Sequence, residues 1–355
     1  MSGPINVAVV GVGRMGSIHA LHVRELAQET GRCVLAAVVD GNIERARQCA
    51  ARMGCDVPVL ASVGELIDAG LCNATVIVTP TESHREHAAQ LITAGHRVLV
   101  EKPLTGTVES DREFAAELDR NNPHALMLAF QRRFDLPLQY AKSLMDSGVI
   151  GRVFKIYSSL EDSNPAPNGY KSGGILPDMS IHNVDEILWL TGRMPRAALV
   201  VGSNIYTHRL TTCQEDFDDA LLCLWFDNEM AAQVQVSRNH VCGYRVETLI
   251  FGEEGQIHVG RFEQKPFEVV VEAYGRRGRD EPLARRTFRM RQYTHVLPEF
   301  VDRFGPAYKA ELAAFVECCG AEAPFPITHN DGLRAQKVIS AGMRAVVTEE
   351  QAAVV

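Results

Sequence analysis

Val7-Ala8-Val9-Val10-Gly11-Val12-Gly13-Arg14-Met15-Gly16 is the stretch that decides the fold. Four apolar residues run straight into G-x-G-x-x-G, and a helical pattern over 15–30 follows. Glycine triplets recur by chance in turns, so the motif has meaning only between an apolar strand and a helix, which is where it stands here. Gly11 permits the tight turn, Gly13 lets a pyrophosphate approach the backbone, and Gly16 lets the helix pack close to its sheet. The helix start offers N–H donors and the positive end of its dipole to an anion. Arg14 and Met15 open that helix, so the predicted cradle comprises Gly11, Gly13, Arg14, Met15 and Gly16.

Outward from this turn, apolar strands and helical patterns alternate. Strands are expected at 7–10, 34–39, 74–79, 97–100 and 126–130, and helices at 15–30, 42–53, 62–69, 84–94 and 108–121. The strands are near-continuous apolar runs, as strands buried on both faces are. Alternation at this spacing predicts a parallel sheet with helices on both sides, an α/β Rossmann domain over 1–127. Asp40 ends the second strand, where an acid bonds the adenosine ribose hydroxyls and repels a 2′-phosphate. That favours NAD, while Arg45 close by keeps NADP in play; capping of the next helix is the alternative role for Asp40. Thr79-Pro80 and Glu101-Lys102 follow two further strands, at the carboxyl ends where open α/β sheets place their ligands. Thr79, Pro80, Glu101 and Lys102 therefore complete the expected cofactor set, and Lys102 is a catalytic candidate.

After about residue 125 the rhythm changes. Helices are expected at 136–147 and 181–190, then short strands at 197–206, 220–226, 230–237, 246–251, 256–259 and 267–272, and a closing helical pair at 307–319 and 331–348. Turn residues such as Asp227-Asn228 and Gly252–Gly255 separate the strands and suggest an antiparallel meander. The expected second domain, 128–355, is thus α+β with a large, mainly antiparallel sheet, one face of it available for self-association. Arg276–Arg279 with Arg285 and Arg286 is expected at a solvated hairpin tip.

With 355 residues, two domains are the natural expectation, and 46% hydrophobic with 23% charged residues is an ordinary globular composition. A net charge of -8 argues against nucleic acid, whose phosphates call for a basic face. The start has no basic n-region, and no apolar run approaches the length of a membrane helix, so neither a signal peptide nor a membrane partner is expected. Nine cysteines, scattered without a C-x-x-C pair, point to a reducing, cytoplasmic setting without disulfides or a metal site.

The second informative stretch is Gly173-Gly174-Ile175-Leu176-Pro177-Asp178-Met179-Ser180-Ile181-His182. Asp178 and His182 are four apart, so on a helix both project from one face. The carboxylate can then orient the imidazole or share a substrate with it; a helix-capping Asp beside a surface His is the alternative. Glu161, Asp162, Asn164, Asn168 and Lys171 offer groups that pair with many hydroxyls.

Taken together, the glycine motif, Glu101-Lys102-Pro103 and Gly-Gly-x3-Asp-x3-His resemble the Gfo/Idh/MocA oxidoreductase family, over essentially the whole chain. Arg132-Arg133-Phe134-Asp135, the loop 162–170 and Phe304–Glu311 make it look most like the inositol 2-dehydrogenases of that family. The resemblance implies NAD-dependent oxidation of a cyclic polyol, myo- or scyllo-inositol to an inosose. It implies His182 as general base, Lys102 beside the nicotinamide and the reacting hydroxyl, and Asp178 positioning the substrate. Arg132, Asp162 and Tyr244 are implied to read further hydroxyls, and a homo-oligomer, dimer or tetramer, is implied as the assembly. Asn183, where the family often has an acid, and Pro177 before Asp178 depart from the pattern. Other enzymes of this architecture act on sugars or anhydro-sugars. A non-catalytic dinucleotide-binding regulator is the more distant reading, and the presence of both Lys102 and His182 speaks against it.

Overall fold

Among residues 3–131 of the computed structural model, strands and helices alternate as β1 (Ile5–Val10), α1 (Arg14–Thr30), β2 (Cys33–Val39), α2 (Ile43–Met53), β3 (Val59–Leu60), α3 (Val63–Ala69), β4 (Ala74–Ile77), α4 (His84–Thr93), β5 (Arg97–Glu101), α5 (Val108–Asn121) and β6 (Leu126–Ala129). The structure describes residues 3–54, 56–162, 173–204, 216–227, 229–261, 268–276, 281–290, 299–348 and 352–354. The six strands form one parallel sheet in the order β3-β2-β1-β4-β5-β6, the doubly wound arrangement of dinucleotide-binding domains. Every residue of β4 and β6 is buried, which is why these strands carry no polar alternation. Helix starts are set by local acceptors: Asn42, Ser62 and Thr107 receive the N–H groups of Arg45, Glu65 and Ser110.

The chain divides into two units, Met1–Gln131 with Tyr308–Leu333, and Arg132–Ala307 with Arg334–Val355. A division at 127/128 places everything later in the second domain, whereas the structure returns Tyr308–Leu333 to the first unit. The physical reason is the edge strand β6. Leu128 N–H reaches the Ile327 carbonyl at 3.4 Å, and a Cβ on Gly332 would lie 2.5 Å from Leu128 Cδ2. Arg97 on β5 stacks its guanidinium 3.9 Å over the Phe325 ring. The returning segment thereby covers an edge that would otherwise stay open.

The second unit holds α6 (Leu136–Asp146), β7 (Val153–Glu161), a π-helical turn (Leu176–Ser180), α7 (Ile181–Thr191), β8 (Ala197–Ser203), β9 (Asp219–Asp227), β10 (Met230–Ser237), β11 (Arg245–Gly252), β12 (Gly255–Val259), β13 (Glu268–Gly275) and β14 (Ala284–Arg289). Helices α8 (Glu299–Ala321) and α9 (His329–Thr348) follow, and the short strand β15 (Ala352–Ala353) closes the sheet. Nine strands form one mainly antiparallel sheet in the order β14-β13-β12-β11-β7-β10-β9-β8-β15. It is not the simple meander expected from the turns. Strand β7 enters between β11 and β10, antiparallel to the first and parallel to the second. Its sequence lacks an apolar alternation because Ser158, Ser159 and Glu161 are buried. Ser158 accepts a hydrogen bond from Asn183 and donates to Glu186, both on α7, so polar pairing replaces apolar packing there.

Arg285 and Arg286 stand in β14, not at a hairpin tip, and Arg285 pairs across the ladder with Glu272. An arginine-rich edge strand discourages pairing with another chain. Residues 277–280 of the expected tip lie outside the described residues, as do Asn164, Asn168 and Lys171. Among the described residues no helix is long and apolar enough to cross a membrane. Cys33, Cys49, Cys72, Cys223, Cys242, Cys318 and Cys319 are free thiols, and no group of three potential metal ligands occurs among the described residues.

Candidate active site

At the end of β1 the chain turns through Gly11 at φ +85°, a left-handed conformation, and a Cβ there would lie 2.7 Å from the Val78 carbonyl oxygen. A Cβ on Gly16 would lie 1.8 Å from the Gly11 carbonyl, so the first turn of α1 sits directly on the loop. Gly13 differs. It is the N-cap of α1, makes no side-chain cap, and has nothing within 4 Å of its Cβ direction. Gly11 and Gly16 are glycines because protein atoms exclude a side chain; Gly13 leaves open space at the N–H end of a helix, which suits a phosphate. Arg14 is exposed and Met15 half-buried on the first turn.

Asp40, 8% exposed, lies at the end of β2. Its Oδ2 accepts the Val12 N–H at 3.0 Å and its Oδ1 accepts the Asn42 N–H at 2.8 Å. The cap of α2 is Asn42, so Asp40 is free of that duty and instead pins the glycine loop. Arg45 approaches Asp40 Oδ2 at 3.4 Å from a half-exposed position.

Two loops at the carboxyl edge of the sheet carry the remaining residues expected at the cofactor. Thr79 Oγ1 lies 3.3 Å from His87 Nδ1, and Pro80 is exposed beside it. His84 lies between the loops, its Nε2 2.9 Å from the Thr79 carbonyl and its Nδ1 2.9 Å from the Pro103 carbonyl. Lys102 is half-buried and joins Pro103 through a cis peptide. The preceding Glu101 accepts the Lys102 backbone N–H on Oε2 at 3.1 Å and His19 Nε2–H on Oε1 at 2.8 Å. Burial pushes the Glu101 carboxyl up, but the His19 hydrogen bond and the charges of His19, Lys102 and His84 outweigh it and hold Glu101 below its ordinary value.

In the second unit, Gly173 and Gly174 adopt φ +75° and +107°, and a Cβ on Gly174 would stand 2.9 Å from Asp216 Oδ1. That oxygen accepts the N–H groups of Ile175 and Phe217 at 2.7 and 2.9 Å. Asp178 then lies on the π-helical turn and His182 in the first turn of α7, both half-buried. A π-helical turn differs from the uniform α-helix implied by the four-residue spacing, and such turns concentrate at functional sites. Pro177 sits at its start, where a missing N–H costs no intrahelical bond. Asn183 is fully buried and donates to Ser158 at 2.7 Å, so this departure from the family pattern faces the sheet.

Of the groups implied to read hydroxyls, Arg132 is 1% exposed and donates Nη1 to Glu186 at 2.7 Å. Its Nε and Nη2 have no hydrogen-bond partner among the described residues. Buried guanidinium donors without a partner are rare in folded proteins and mark a place where a polar ligand fits. Burial pushes the Tyr244 hydroxyl above the ordinary phenol range; Asp162 and Glu299 add to this, while Arg132 and Arg303 oppose it. Tyr244 is therefore a neutral hydroxyl ringed by these charges. The Asp162 backbone is held by Ser237 and by His240.

The residues expected at the cofactor all belong to the first unit, and Asp178 and His182 to the second. Spacing alone pointed to neither Arg238 nor Asp216. Arg238 Nη2 lies 3.2 Å from Asp178 Oδ2, and its Nη1 lies 3.9 Å from Asp216 Oδ2. Nor did it reveal the ion pair of Arg133 with Asp185 at 2.6 Å or that of Arg303 with Asp135 at 2.6 Å. These partners lie on different elements, and only the folded chain brings them together.

The chain is similar to known proteins over nearly its whole length. Residues 5–129 match the GFO/IDH/MocA oxidoreductase family with an NAD-binding Rossmann fold, and residues 138–258 match the GFO/IDH/MocA C-terminal domain. An inositol 2-dehydrogenase of Saccharopolyspora erythraea is 30% identical over 353 residues, covering 99% of this chain and 95% of the relative. The NAD(+)-dependent scyllo-inositol 2-dehydrogenase of Bacillus subtilis is 29% identical over 320 residues, covering 90% of this chain and 87% of that one. A scyllo-inositol dehydrogenase from Lactobacillus casei, solved with NAD(H) and scyllo-inositol, superposes with a TM-score of 0.81 at 25% identity, covering 99% of each chain.

Proposed function

The chain belongs to the Gfo/Idh/MocA oxidoreductase family, and from that premise we propose that it oxidises a secondary alcohol of a cyclic polyol, myo- or scyllo-inositol, to the corresponding inosose with NAD. The observation that carries this reading is the placement of Asp178 and His182 at the junction of the π-helical turn and α7, in the unit that also holds the buried Arg132, whose Nε and Nη2 have no hydrogen-bond partner among the described residues. An inositol presents a hydroxyl on every ring carbon, and such donors and acceptors suit it.

NAD, when bound, supplies the acceptor for the carbinol hydride. Gly11, Gly13, Arg14, Met15 and Gly16 would hold its pyrophosphate and Asp40 its ribose hydroxyls, Thr79, Pro80 and Glu101 would complete the cofactor site, and Lys102 would stand beside the nicotinamide. His182 accepts the hydroxyl proton. The Lys102 ammonium stabilises the negative charge that develops on the oxygen. Asp178 orients the substrate, and Arg132, Asp162 and Tyr244 read further hydroxyls.

We also propose a homo-oligomer, dimer or tetramer, working in the cytoplasm. Leu199, Val201, Leu221 and Trp225 are exposed on one face of the large sheet, where the register places Leu221 opposite Val201. A contiguous exposed apolar face is a common mark of association.

A kinetic panel of inositol isomers, aldoses and anhydro-sugars against NAD and NADP tests the reading. Turnover of an inositol with NAD is expected to exceed that of every sugar. Preference for a sugar would transfer the assignment to that substrate, and silence across the panel would overturn it.

A further inference from the structure

We propose that Arg238 is a positioning residue for this reaction: it fixes the Asp178 carboxylate, with Asp216 as the second anchor, in the orientation that receives the polyol. The inference rests on the reading that Asp178 and His182 meet the reacting substrate. Arg238 follows the last residue of β10, and its side chain is 5% exposed. A guanidinium so enclosed needs acceptors, because an unpaired buried charge is costly. Asp178 Oδ2 at 3.2 Å is the nearer carboxylate and Asp216 Oδ2 at 3.9 Å the farther one.

The anchor is rigid for a reason visible in the backbone. Asp216 Oδ1 accepts two N–H groups, from Ile175 and Phe217, so the carboxylate cannot turn without losing both. The glycine at 174 is what admits it, since a Cβ would stand 2.9 Å from that oxygen. The Arg238 backbone is itself fixed, its N–H donating to the Asp218 carbonyl at 2.9 Å. Asp178 in turn donates its N–H to the Gly174 carbonyl at 3.1 Å. The contacts therefore close a ring: Ile175 to Asp216, to Arg238, to Asp178, and back to the same glycine turn.

Left alone, a carboxylate on a short π-helical turn has several rotamers open to it. The ring selects one of them while leaving Asp178 partly accessible, at 17% of its side chain. Fixing a substrate-binding group before the substrate arrives lowers the entropic cost of reaching the reactive geometry. A lysine would retain the charge but not the planar fork that spans two carboxylates.

The test uses the full chain with Arg238→Gln, Arg238→Lys, Asp178→Asn and the double variant Asp178→Asn/Arg238→Gln. The substrate is the inositol turned over fastest by the unmodified enzyme. Arg238→Gln is expected to lower kcat/KM for the polyol by about a hundredfold, the scale of a misplaced binding group, with NAD affinity by fluorescence titration unchanged. Arg238→Lys is expected to recover about tenfold of that loss. Because Arg238 acts through Asp178, the double variant is expected to be no worse than Asp178→Asn alone. Losses that multiply in the double variant would overturn the proposal. So would a crystal structure of Arg238→Gln in which the Asp178 carboxylate keeps its place. That structure decides the matter even if the unmodified enzyme ignores every polyol, an outcome that would defeat the functional reading alone. Should Arg238→Gln not fold, Asp216→Asn keeps the amide-accepting oxygen and weakens only the second anchor. It is expected to lower kcat/KM for the polyol in the same way, and unchanged kinetics there would overturn the proposal.

Discussion

His19 and Glu101 form a buried pair, Nε2 to Oε1 at 2.8 Å, that ties the helix opening the glycine cradle to the strand end that precedes Lys102. Glu101 is held below its ordinary carboxyl value of 4.5, so it adds stability above about pH 4.5 that is lost as pH falls through its depressed folded value. Glu101→Gln removes that contribution. Denaturant unfolding from neutral pH downward is expected to show a less stable variant at pH 7 and a gap that narrows below about pH 4.5. A gap that stays constant with pH would mean that Glu101 is not held ionised by its partners.

Asp111 has the opposite sign. It is fully buried in the first turn of α5, and burial raises it to about 6, against hydrogen bonds from the Thr105 N–H and hydroxyl. The folded chain therefore binds a proton here that the unfolded chain releases, and stability falls as pH rises from about 4 to about 6. Oδ1 accepts both Thr105 groups, while Oδ2 has no hydrogen-bond partner among the described residues. Asp111→Asn keeps the useful oxygen and is expected to match or exceed the parent at pH 7.5, with the decline between pH 4 and 6 removed. Asp111→Ala strands the Thr105 N–H and is expected to cost about 1–3 kcal/mol. Urea titrations across that range separate the three proteins.

The glycines of the cradle are expected to fail in different ways. Gly16→Ala places a Cβ 1.8 Å from the Gly11 carbonyl, so the loop or the helix must move, and a strongly lowered Tm is expected. Gly13→Ala meets no protein atom within 4 Å, so its Tm is expected to stay near the parent while NAD affinity falls. Thermal melts with and without NAD read both effects. A Gly13→Ala protein with unchanged NAD affinity would remove Gly13 from the cofactor site.

Lys102→Ala is expected to cut polyol turnover by roughly a hundredfold or more, the range for loss of a group that stabilises developing charge. Cofactor binding, measured by fluorescence titration, is expected to remain nearly intact. Turnover like the parent's would remove Lys102 from the chemistry.

For the apolar sheet face, Trp225→Glu combined with Val201→Glu places charge at positions 45% and 59% exposed, where the isolated chain loses little packing. Light scattering is expected to report a smaller particle than the parent with an unaltered circular dichroism spectrum. An unchanged mass would assign association to another surface.

The first unit was legible because its signals are local. Gly11, Gly13 and Gly16 sit within one turn, and the strands around them are apolar runs buried on both faces. That Asp178 and His182 lie on adjoining turns was legible for the same reason, since they are neighbours along one segment. Strand β7 was not. It buries Ser158, Ser159 and Glu161 by pairing them with α7, β10 and β11, and no periodicity marks a strand whose buried side chains are polar. Arg238 was equally silent, since its partners lie far back in the chain and a lone arginine after a strand has many ordinary uses.

The return of Tyr308–Leu333 to the first unit also sets an order of events during synthesis. The nucleotide-binding unit is made before the second one, yet it lacks Tyr308–Leu333 until most of the second unit has been made. Until Phe325 and Ile327 emerge, the Leu128 N–H of β6 and the Arg97 guanidinium lack these later partners. Unpaired strand edges on nascent chains are sites of misassembly. The growing chain is therefore expected to need protection at β6 until the returning segment is made, and a chain cut before Tyr308 is expected to lose cofactor binding.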